Sequence, residues 1–94
     1  MRALTDTEIT KFCQENPAWK LADGKLVRDW IFPDFAAAMA FVNQVAVTAE
    51  VAGHHPDIDI RYNKVRLGLV THDAGGITAH DLGMATRLNT TFFK

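Results

Sequence analysis

The chain is poor in the features that announce a specialised class. Its 94 residues hold one cysteine, Cys13, so an internal disulfide and a thiolate metal cluster are both excluded. A lone thiol suits a reducing compartment. Charge of one sign is missing too. Ten Lys and Arg stand against eleven Asp and Glu, the net charge is −1, and the basic residues are scattered from Arg2 to Lys94. No phosphate-tracking stripe exists, and direct nucleic-acid binding is not expected. The first residues, Met1-Arg2-Ala3-Leu4-Thr5-Asp6, lack the apolar stretch of a signal peptide. The longest apolar run, Phe35 to Val42, is too short to cross a bilayer. The expectation is a soluble, cytoplasmic protein with no membrane partner.

What is present is an ordinary globular composition, 48% hydrophobic and 22% charged. It suits one domain over residues 1–94 and argues against disorder. At this size the core is modest, and oligomerisation can add stability.

Thr5-Asp6-Thr7-Glu8 reads as a capping box opening a short helix that ends near Glu15, with Ile9, Phe12 and Cys13 on one face and Asn16-Pro17 as its stop. Trp19–Ala22 and Lys25–Phe32 flank Asp23-Gly24, a pair that tolerates the positive φ of a tight hairpin. The second run is apolar on both faces, as in a strand covered twice or lying at a subunit contact. Phe35, Met39, Val42, Ala46 and Ala49 recur at helical spacing and predict a helix from about Asp34 to Ala52, stopped by Gly53. The run from Asp57 to Tyr62 alternates, placing Ile58, Ile60 and Tyr62 on one face. After a turn at Asn63-Lys64, Val65, Leu67 and Leu69 form the inner face of a returning strand that His72 ends. Asp73 to Gly76 is a loop, and Thr78 with Asp81 opens a last helix carrying Leu82, Ala85 and Leu88. The fold class is α+β: a four-stranded antiparallel sheet with helices on one face, in the order α-β-β-α-β-β-α.

Candidate chemistry concentrates at two junctions. His54 and His55 come after the long helix and precede Pro56, which disfavours helical backbone at His55. Adjacent side chains there diverge unless the corner is bent. Histidine titrates nearest neutrality, so His54, His55 and His72 around one pocket would supply an acid and a base. Glu50, Asp57, Asp73 and Asp81 could fix their tautomers. An exposed helix end explains His-His-Pro equally well, and spacing alone does not separate the two. Asp81 by itself reads as a helix-start residue, His80 as an exposed first-turn residue, and Trp19, Trp30 and the phenylalanines as core. Three histidines can also hold zinc, but no HExxH motif is present.

The pattern Glu50-Val-Ala-Gly-His54-His55-Pro56, five residues, Tyr62, nine residues, His72, eight residues, Asp81 resembles the pterin-4a-carbinolamine dehydratase family. The likeness extends through Tyr62-Asn63-Lys64-Val65 and Thr71-His72-Asp73, and to Trp19, the Phe32–Phe35 segment and Gly76-Ile77-Thr78. It implies the same α+β fold, a homodimer or homotetramer, and loss of water from 4a-hydroxytetrahydropterin to give quinonoid dihydropterin, recycling the pterin of aromatic amino-acid hydroxylases. No metal or other cofactor is implied. His54, His55 and His72 match the three functional histidines: His55 and His72 for proton transfer, His54 for acid–base work or orientation. Asp81 matches the last acid, which orients a histidine, and Glu50 the first. Thr71 and Asp73 are implied pterin contacts, with Gly53 and Val70 contributing backbone. Gly53 and the additional His80 depart from many relatives. The resemblance leaves open a non-catalytic binding or assembly role, or another pterin role such as molybdopterin handling.

Overall fold

Hairpin-forming turns and capped helices set the order of elements. The computed structural model describes residues 1–92; residues 93 and 94, which the single-domain expectation includes, lie outside the described residues. Helix α1 (Asp6–Glu15) starts with the expected capping box: Glu8 N–H donates to Thr5 Oγ1, and the Glu8 carboxylate accepts from Thr5 N–H at 2.9 Å. Strands β1 (Lys20–Ala22) and β2 (Lys25–Ile31) turn through Asp23 and Gly24, both at positive φ, 52° and 75°. Helix α2 (Phe35–Ala52) is capped by Asp34, whose Oδ1 accepts from Ala37 N–H at 2.8 Å. Strands β3 (Asp57–Arg61) and β4 (Lys64–Leu69) come next, then a short 3₁₀ turn at His72–Ala74 and helix α3 (Ala79–Phe92).

The sheet is antiparallel, in the order β1-β2-β4-β3. The pairings Leu26↔Leu69 and Trp30↔Val65 put the apolar residues of the two central strands on one face. All three helices cover that face. Ile9 of α1, Ala38, Phe41, Val45 and Ala49 of α2, and Met84, Ala85 and Leu88 of α3 join Leu26, Trp30, Val65, Leu67 and Leu69 in one cluster. Each fully buried aliphatic there contributes about 1.5–3 kcal/mol. Trp19 packs edge-on against Trp30 at 5.9 Å, and Phe41 lies 4.9 Å from Trp30.

Three expectations need correction. The buried stripe of α2 is Ala38, Phe41, Val45 and Ala49, about a quarter turn from the predicted Phe35-Met39-Val42-Ala46-Ala49 face. Phe35 is half exposed. The helix is apolar around most of its circumference, so periodicity could not choose a face. By length and composition α2 would even pass for a membrane span, although its core stripe packs on the sheet.

The β3–β4 turn sits at Tyr62-Asn63, one residue earlier than expected. Tyr62 adopts φ 57°, and the Asn63 side chain donates to Phe32 O at 2.9 Å. Ile58 pairs with Leu67 yet stays 40% exposed on β3, an edge strand of the sheet. His72 does not end a strand. β4 stops at Leu69, Thr71 bridges Gly76, and His72 begins the 3₁₀ turn closed by left-handed Gly75.

Candidate active site

Register gathers the site. Asp57 at the start of β3 pairs with Gly68 near the end of β4. The segment entering β3 and the segment leaving β4 therefore lie side by side at one end of the sheet. The first is the corner after α2; the second is the turn leading into α3.

Gly53 makes the corner. Its φ of 65° is left-handed, and its N–H reaches the carbonyls of Ala49 and Glu50; His54 N–H then bonds Ala49 O at 3.1 Å. This closure swings the chain out of α2 and gives the two histidines different surroundings. His54 is only 17% exposed in its side chain, and its Nε2 lies 2.5 Å from Asp81 Oδ1. His55 is 62% exposed and pairs through Nε2 with the exposed Glu50 carboxylate.

Asp81 is fully buried. Its Oδ2 accepts from Thr78 N–H at 2.8 Å and from the Thr71 hydroxyl at 2.9 Å, leaving Oδ1 to His54. One oxygen thus serves the helix start while the other faces His54. With Asp81 accepting, His54 holds its proton on Nε2 and offers Nδ1 as a proton acceptor. A buried carboxylate behind an imidazole also steadies the positive charge that forms when the ring takes up a proton.

The other expected residues lie around this pair. Val70 and Thr71 are half-buried, and Gly53 is exposed. His72 and Asp73 stand exposed in the turn next to Thr71, and among the described residues their side chains make no hydrogen bond or ion pair. Bonds therefore join His54, Thr71 and Asp81, while Glu50–His55 forms a separate exposed pair. Among the described residues, no three His, Cys, Asp or Glu side chains gather in a metal-holding group.

Two contributors were missed as site residues. His80 places its ring 5.9 Å from that of His54, tilted by 34°. Thr78, read only as a helix start, is fully buried and bonded to Thr71. Thr78-x-x-Asp81 spacing was the available signal for the second; nothing in the sequence linked it to Thr71.

A hollow of about 360 Å³ opens elsewhere, lined by Asp29, Ile31, Asp59, Arg61, Lys64 and Arg66 among others. Four of its charges are paired: Arg66 holds Asp29 at 2.7 Å and draws its carboxyl below the usual range, and Arg61 bonds Asp59 at 3.1 Å. It contains none of the histidines.

Residues 2–91 match the family model described as pterin 4 alpha carbinolamine dehydratase. A protein of Acidobacterium capsulatum, provisionally named a pterin-4-alpha-carbinolamine dehydratase, is 57% identical over 94% of this chain and 96% of its own length. One from Chloroflexus aurantiacus with the same provisional name is 49% identical over 95% and 96%. Among solved structures, a transcriptional coactivator/pterin dehydratase from Brucella melitensis superposes with a TM-score of 0.86 at 34% identity, covering 95% of this chain and 97% of that one. A pterin dehydratase-like RuBisCO assembly factor of the alpha-carboxysome shares the fold, with a TM-score of 0.64 at 22% identity over 78% of this chain and 87% of that one.

Proposed function

The chain belongs to the pterin 4 alpha carbinolamine dehydratase family, and from that premise we propose that it dehydrates 4a-hydroxytetrahydropterin to quinonoid dihydropterin, returning the pterin cofactor of aromatic amino-acid hydroxylases to use. The reaction breaks the C4a–O bond. The departing hydroxide takes one proton and leaves as water. The neighbouring ring nitrogen gives up one proton, and its electron pair closes the C=N bond. An acid and a base suffice, and imidazoles can be both near neutrality.

The observation that carries this reading is the His54–Asp81 contact at 2.5 Å with Asp81 wholly buried. It supports His54 Nδ1 as an oriented acid–base group. His55 and His72, both exposed beside the corner and the turn, are assigned proton transfer at the hydroxyl and the ring. Glu50 orients His55. Thr71 and Asp73 are assigned contacts to the pterin, with Gly53 and Val70 giving backbone. No cofactor is required, and the proposed setting is the cytoplasm.

The test supplies enzymatically generated 4a-hydroxytetrahydropterin to the purified protein. Dehydration should exceed background and survive dialysis against EDTA. His55→Ala and His72→Ala should each slow turnover by about a hundredfold or more with the fold intact. A wild-type rate equal to background would overturn the dehydratase reading. It would favour a binding or assembly role, since the Brucella relative's description pairs coactivator with dehydratase.

We also propose that the chain acts as a homo-oligomer. Val47 and Val51 on the outer face of α2 remain 66% and 77% exposed, an apolar surface that a second copy would cover.

A further inference from the structure

We propose that Thr78 is a positioning residue of this site, acting on His54 through a chain of two hydroxyls and Asp81. Hydrogen-bond directions make the case. Thr71 Oγ1 has one proton and gives it to Asp81 Oδ2 at 2.9 Å. Thr71 Oγ1 also lies 2.8 Å from Thr78 Oγ1, so there it accepts and Thr78 donates. Thr78 Oγ1 in turn accepts from His80 N–H at 3.2 Å. A directed chain runs from the first turn of α3 through Thr78 and Thr71 to Asp81, and ends at His54 Nε2.

Thr78 and Asp81 are both fully buried, so bulk solvent does not compete for their bonds. Without the Thr78 hydroxyl, Thr71 Oγ1 loses the donor that helps aim its own proton at Asp81 Oδ2, so that bond is held less firmly, although Thr78 N–H still reaches Oδ2. Thr78 touches neither His54 nor the outer surface of the site. Its effect must travel through Thr71 and Asp81. The inference deepens the dehydratase reading and rests on His54–Asp81 being its acid–base pair.

Thr78 also caps α3, so the experiment must separate a cap from a positioning role. Glycine is nearly as good a cap as threonine. Thr78→Gly therefore keeps most of the helix start and removes the hydroxyl. Thr78→Ser keeps both functions, and Thr78→Val removes both. The probe is the nitrogen-bound proton of the His54 ring, monitored by NMR without any substrate. In the wild type it should be a slowly exchanging signal on Nε2. Exchange should quicken roughly fivefold to tenfold in Thr78→Gly and Thr78→Val and return to the wild-type rate in Thr78→Ser. Turnover should fall in step, through kcat with KM little changed.

If Thr78→Gly and Thr78→Val leave that proton's exchange unchanged while thermal stability alone falls, Thr78 is only a cap and the inference is wrong. A wild type that shows the protected proton but no pterin turnover would overturn the dehydratase reading and leave the hydrogen-bonded chain standing.

Discussion

At the residue scale, one carboxylate joins two jobs that are usually separate. Asp81 completes the start of α3 with Oδ2 and holds His54 with Oδ1. Asparagine has the same shape but turns one of those acceptors into a donor, which must then face Thr71 and Thr78 or His54. Asp81→Asn should cut turnover by about a hundredfold to ten-thousandfold, with near-native circular dichroism; a rate within a factor of about two of wild type would remove Asp81 from the mechanism. Much of this site is legible from residue types and spacing: Glu50, His54, His55, Thr71, His72 and Asp81 all stand near one end of the sheet. Which histidine meets Asp81 is not legible. That choice depends on the left-handed turn at Gly53 and on the partners beyond it. The same limit hid Thr78, whose link to Thr71 crosses from a turn to a helix start.

At the element scale, helix ends read more faithfully than helix faces. The α1 box at Thr5 and Glu8, the Asp34 cap and the Gly53 stop all fall where local chemistry put them, because each depends on residues within one turn. The α1 start carries a pH signature. Glu8 accepts from Arg2, first, and from Thr5 N–H, and its carboxyl is lowered from 4.5 to about 2. A depressed carboxyl stabilises the fold in its charged form. That contribution is complete above pH 4.5 and is lost as pH falls from there through about 2. Arg2→Ala should move the Glu8 midpoint, read from its side-chain NMR shifts, back up towards 4.5. An unmoved midpoint would mean that Arg2 is not the cause. Cys13 also behaves as its helix placement predicts: half-buried against the core, its thiol is pushed up by burial and made less reactive. The face of α2 was misjudged because many of its residues can be buried, and the sheet, not the helix, decided which were.

At the scale of the whole molecule, a polar clasp fastens α3 and the end of α1 to the sheet. Asn89 on α3 accepts from Trp19 Nε1 at 2.9 Å and from the Arg28 guanidinium of β2, and donates to Asn16 at the end of α1 at 3.2 Å. Arg28 also lies over the Trp30 ring, 4.6 Å from its centroid. Asn89→Ala strips several partly buried groups at once and should cost about 1–3 kcal/mol, seen as a melting temperature lower by about 4–8 °C for each kcal/mol. A shift under about 1 °C would show the clasp to be incidental. The outer face of α2 makes a separate prediction. Light scattering should give the wild type the mass of a dimer or larger, and Val47→Asp should lower it; a monomeric wild type would sink the oligomer proposal. By itself the sequence determined the element order, the hairpins, the helix caps and the residues able to move protons, because turn chemistry, capping and alternation act over a few neighbouring positions. Only the tertiary structure decided the pairing of β2 with β4, the buried stripe of α2, the open flank of β3 and the partnership of His54 with Asp81, because each depends on which surfaces meet after segments far apart in the chain have packed.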